Sequence, residues 1–206
     1  MLKYSYIIFN GVFMNITKEE ILKLINQYDH TKYVHKEDFP NIDLYMDQVI
    51  SFVENHLDQS SDSDQKFLTK TMINNYAKSK LFPPPIKKKY NTEHIISFCI
   101  IYYLKKFLSI DDVKTILNGM QNDTDLYQLY LNMIEEIKLC LPDSSNDIIQ
   151  KLNKSFSKEN IENNQAIYLF IAQLSYDVYV RKEILETMAK IARNKINNQD
   201  KTEDNV

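Results

Sequence analysis

Apolar residues recur three and four positions apart along almost the whole chain, which is the period of a helix and not of a strand. Thr17 is placed to cap a first helix that carries Ile21, Leu24, Ile25 and Tyr28 on one face. After a loop ending at Pro40, Asp43 to Leu57 sets Leu44, Met46, Val49, Ile50, Val53 and Leu57 at helical spacing. The run DQSSDSDQ behind it has no apolar anchor and predicts a solvated loop. A third helix is predicted from Thr69 to Leu81, because Pro83-Pro84-Pro85 forbids continuation. Thr92 opens a strongly apolar helix through Phe107. Ser109 with Asp112 makes a capping-box start for a short helix, and Gly119 suits a left-handed C-cap that would end it. The NDTD run caps a helix to about Leu141, which Pro142 is expected to break. Asp143 or Ser144 then caps another that carries Ile148, Leu152 and Phe156. The last helix is predicted from Gln165 to Ile196, striped by Ile167, Ile171, Leu174, Val178, Leu185, Met188 and Ala192.

This pattern divides the chain into segments. Residues 1–14 read as a flexible arm or as sequence upstream of a true start at Met14, and residues 15–40 as one helix and a loop. Residues 41–120 form a compact alternation of helices and turns, 121–196 a C-terminal helical region, and 197–206 a polar tail expected to be disordered. The expected fold class is all-α, with a small β wing possible and a C-terminal helical bundle.

With 44% hydrophobic residues in 206, the chain can bury a real core. Two glycines exclude phosphate-cradling and dinucleotide-binding loops, which need glycine where the backbone meets the ligand. Cys99 and Cys140 sit in apolar contexts and are expected to be buried, as in a cytoplasmic protein. The apolar stretch near the start is too short for a membrane span. The four histidines are scattered, with no i, i+4 pair, so no metal and no cofactor is expected. No serine sits in a strained glycine-flanked elbow, and Glu135-Glu136 reads as a solvated helix face, so an enzyme is not expected.

The charge is segregated. Nine lysines lie between Lys66 and Lys106 against one acid, Glu93, so the remainder of a chain with 25 basic and 28 acidic groups is strongly acidic. Such a segment suits an anionic partner. Inside it, Ile73, Tyr76 and Ala77 can face a core while Lys70, Thr71, Asn74, Asn75 and Lys78 face out. That is what a helix entering a major groove requires. Lys80 and the triplet Lys87-Lys88-Lys89 with Tyr90 follow.

These residues resemble the DNA-binding head of MerR-type regulators. Tyr76 matches the aromatic of the recognition helix, Leu81-Phe82-Pro83 the turn after it, Lys87 to Lys89 with Tyr90 the wing, Thr92-Glu93 the next helix start, and Ser109 to Val113 the last element. NIDLYMDQV followed by LTKTMINNYAKSKLFPPPIKKKY is also similar to a bacterial family known as domain of unknown function 1836, over about residues 40 to 120. Asn74 and Lys78 stand where MerR-type helices carry arginines, and the wing lacks their glycine. The resemblance implies a winged helix-turn-helix and a noncatalytic transcriptional regulator. Lys70, Thr71, Asn74, Asn75, Lys78, Lys80, Lys87, Lys88, Lys89 and Tyr90 would then meet DNA, with no assigned effector; paired half-sites would need a homodimer, for which the C-terminal helix is the candidate interface, although its apolar stripe is equally able to fill an intramolecular core. The alternative is a degenerate winged module that docks an acidic protein.

Overall fold

The computed structural model describes residues 16–28, 33–57, 68–123 and 125–203. The expected arm at 1–14 and the whole of the acidic loop at 58–65 lie outside them. Seven α-helices and one two-stranded antiparallel sheet make up the described residues. The chain divides into two compact units, one from Met1–Asp29 with Leu141–Asp177, the other from His30–Cys140 with Val178–Val206.

In the first unit, α1 (Lys18–Tyr28) starts at a reciprocal cap: the Thr17 N–H donates to the Glu20 carboxylate at 2.8 Å and the Glu20 N–H to Thr17 Oγ1 at 3.2 Å. Ile21 and Ile25 pack with Leu152 of α6 (Leu126–Phe156) and with Ile167 and Phe170 of α7 (Asn163–Glu203). Leu24, expected on the same face, is exposed. The Gln173 amide donates to Ser155 Oγ at 2.9 Å, and Lys151 pairs with both Asp147 and Asp177.

The second unit is built around α4 (Thr92–Leu104), in which every residue from His94 to Tyr102 is buried. A helix that is apolar all round must be central. Around it lie α2 (Met46–Leu57) through Val49, Val53 and Leu57, α3 (Lys70–Lys78) through Ile73 and Tyr76, and α5 (Ile110–Asp123) through Val113 and Leu117. The start of α6 adds Leu126, Tyr130 and Ile134. Each such apolar side chain contributes about 1.5–3 kcal/mol when fully buried. Two tyrosines tie off backbone groups, one at the last residue of α2 and one in the loop at Val34. Tyr102 donates to the Leu57 carbonyl at 2.8 Å, and the Tyr130 hydroxyl accepts the Val34 N–H at 3.2 Å. Asp112 exchanges hydrogen bonds with Ser109, as the capping spacing predicts, and accepts one from Arg193 of α7.

Several boundaries differ from the sequence expectations, each for a physical reason. Leu44 and Tyr45 form β1, paired to Tyr90 and Lys89 of β2 (Lys89–Tyr90), so α2 starts only at Met46. α3 ends at Lys78, not Leu81, and α4 at Leu104, not Phe107, because turns follow directly. α5 runs through Gly119, which does not take a positive φ, so no left-handed cap forms there. α6 runs through Pro142: proline removes one intrahelical bond at a cost of about 3 kcal/mol, and buried Ile134 before it and Leu152 after it hold the helix on both sides. α7 continues to Glu203, so most of the expected disordered tail is helical, since propagation adds a bond for each residue fixed. Cys99 is buried but Cys140 is exposed on α6.

Candidate nucleic-acid interface

Sequence places α3 by its cap and its two faces. Thr69 Oγ1 accepts the Met72 N–H at 3.2 Å, Ile73 and Tyr76 turn inward, and Lys70, Thr71, Asn74, Asn75 and Lys78 form an exposed polar strip. The Lys105 ammonium lies 2.8 Å from the Tyr76 hydroxyl and adds a cation that the sequence pattern did not single out. Lys70 does not stand alone, because its ammonium is 2.7 Å from the Asp47 carboxylate at the start of α2.

The helix closes with two crossed bonds, Lys80 N–H to the Ala77 carbonyl at 3.0 Å and Leu81 N–H to the Tyr76 carbonyl at 3.1 Å. Lys80 sits at φ 56°, the position usually given to glycine in this motif. Beyond the three prolines, Ile86 to Lys89 make a tight hairpin. Lys89 N–H donates to the Ile86 carbonyl at 2.9 Å, with Lys87 at φ 50° and Lys88 at φ 63°. Positive φ at both central residues is the signature of a type I′ turn. Lys80, Lys87 and Lys88 are exposed, and Lys89 is half-buried with its ammonium 5.3 Å over the Tyr45 ring.

Tyr90 corrects an expectation. It is 3% exposed, its ring 5.5 Å from His94 and 6.0 Å from Phe98, so it anchors the hairpin from below and does not belong to the exposed strip. Burial pushes its hydroxyl above the ordinary tyrosine range.

His94, which the sequence leaves without a role, clasps this region. Its Nε2 lies 2.9 Å from the Pro83 carbonyl, and its Nδ1 faces both the Asn91 N–H at 3.2 Å and the Asn91 side-chain oxygen. Phe82 meets the ring edge-on at 5.6 Å. Burial holds its pKa below the usual 6.5, against the opposing pull of the Pro83 carbonyl, Glu93 and Asp43. The signal that could have found it is Asn91 three residues ahead, the spacing of a capping box.

Lys70 and Lys89 reach the same short segment, at Asp47 and Tyr45 respectively, so the head of α3 and the base of the lysine hairpin adjoin. Lys78 lies two turns further along α3, about 12 Å from Lys70 along the helix axis. Among the described residues no group of His, Cys, Asp and Glu could hold a metal, and no helix is long and apolar enough to cross a membrane.

Residues 34–133 match the model of a family described as Domain of unknown function (DUF1836). The matched span holds α2 to α5, both strands and the first quarter of α6. No curated protein and no solved structure matches the chain.

Proposed function

We propose that residues 41–120 form a MerR-like winged helix-turn-helix head, with the lysine hairpin as a short wing, and that the protein is a noncatalytic DNA-binding transcriptional regulator. The observation that carries this reading is the meeting of Lys70 and Lys89 at Tyr45 to Asp47, which joins the polar strip of α3 to the hairpin. The chain order supports it too: β1 ahead of α2 pairs with β2 behind the hairpin, and α3 lies between them in sequence. In this reading Lys70, Lys78, Lys80, Lys87, Lys88 and Lys89 sit on phosphates. Thr71, Asn74 and Asn75 meet base edges, where an asparagine pairs with adenine through two hydrogen bonds. A homodimer through α7 would supply paired half-sites, and Ile184, Met188 and Ile191 give it an exposed apolar stripe. The acidic-protein reading has one observation of its own, since Asp47 shows that Lys70 accepts a carboxylate.

Selection from a random duplex library with the purified protein tests the two. The DNA reading expects an enriched palindrome. Replacing Lys87, Lys88 and Lys89 by Ala then weakens all duplexes and flattens the salt slope by up to about one unit for each phosphate no longer neutralised. Asn74→Ala costs roughly 1–3 kcal/mol on the selected site and little on random DNA. No enrichment at low salt gives the acidic-protein reading precedence.

A further inference from the structure

The register of the small sheet sorts its side chains onto two faces, because residues opposite each other in an antiparallel pair share a face. Leu44 and Tyr90 stand opposite and are both buried, so they face the core. Tyr45 and Lys89, the next pair, therefore face out. Ile86 joins them there, since it opposes Lys89 across the two-residue turn. The outer face of the hairpin is thus a row of Tyr45, Lys89 and Ile86, edged by the exposed Lys87 and Lys88. Ile86 is 74% exposed, more than any other large apolar side chain among the described residues, so it contributes little to the core.

That isoleucine is also stiffly mounted. Pro83, Pro84 and Pro85 fix φ on the approach, His94 Nε2 meets the Pro83 carbonyl, and buried Tyr90 anchors the returning strand. Its branch at Cβ restricts χ1 as well. A lipid surface takes a broad apolar face with the charges set apart from it, whereas this row alternates tyrosine, lysine and isoleucine. A rigid apolar projection among cations suits duplex DNA: lysines on the phosphates hold it against the minor groove, where it enters between two stacked base pairs. We propose that Ile86 is a wedge that partly unstacks a flexible TpA step and bends the duplex. The protein thereby selects sequence at a position that the side chains of α3 do not touch. This role for Ile86 rests on the DNA reading and adds to it a residue outside the basic strip.

Two labelled duplexes of equal length and composition test it: alternating dA-dT, with a TpA at every second step, and a dA tract paired with a dT tract, with none. The tract has the narrower and more negative minor groove, so lysines alone favour it, whereas a wedge favours the flexible step. Fluorescence anisotropy with the full chain is expected to show the alternating duplex bound at least about fivefold more tightly. In I86A the two affinities come within about twofold of each other with the salt slope unchanged, and I86L keeps the preference. The exposed position lets both variants fold. An adenine replaced by 2-aminopurine at a TpA step brightens when the unaltered chain binds and stays dim with I86A. Equal affinities, a preference for the tract, or a preference unchanged in I86A overturns the wedge and leaves the DNA reading in place. Binding of neither duplex at low salt overturns both, and the row then falls to the acidic-protein reading.

Discussion

Three lysines hold backbone angles that side chains ordinarily avoid: Lys80, Lys87 and Lys88, at φ 56°, 50° and 63°. The left-handed region costs a residue with a Cβ about 1–2 kcal/mol, so each position stores strain that glycine would not. Lys80→Gly is therefore expected to raise stability by about 1 kcal/mol, read as a higher urea midpoint with an unchanged slope. A lower midpoint would mean that the Lys80 side chain contributes more than its backbone costs. These residues also show why the hairpin is illegible as a turn in the sequence. Turn signals are read from Gly, Asn and Asp, and this chain turns on lysine instead. The exposed strip of α3 is legible because alternation about Ile73 and Tyr76 fixes which side chains face out. Tyr90 misleads because its neighbours in sequence are charged, while its neighbours in space are His94 and Phe98.

At the level of elements, His94 near the start of α4 bonds the backbone on both sides of the hairpin, at Pro83 and at Asn91. Because burial lowers the His94 pKa, the folded chain binds fewer protons than the unfolded chain between the two values. This contribution is complete above about pH 6.5 and is lost as the pH falls from there toward the folded value. Titration of the ring by NMR is expected to give a midpoint below 6.5, and a midpoint at or above 6.5 contradicts its burial. Helix starts are legible, since Thr17, Thr69 and Ser109 carry their caps locally. Helix ends are not. Gly119 and Pro142 are stop signals only by local propensity, and tertiary packing carries α5 and α6 through both.

Across the whole molecule, α6 and α7 each contribute to both compact units, which the sequence hides behind an expected break at Pro142. If Ile184, Met188 and Ile191 form the dimer seam, light scattering gives twice the chain mass at micromolar concentration, and Met188→Glu returns it to one. A single chain mass for the unaltered protein removes the dimer. Trypsin offers a different view of the intact fold. It cuts after lysine, but it grips its substrate as an extended strand, and Lys87 and Lys88 are curled inside a two-residue turn. The run of three consecutive lysines should therefore resist the protease until the hairpin springs open. Its cleavage rate in the folded protein then becomes a clock for that opening, and the clock runs faster in any variant that unfastens His94 from Pro83.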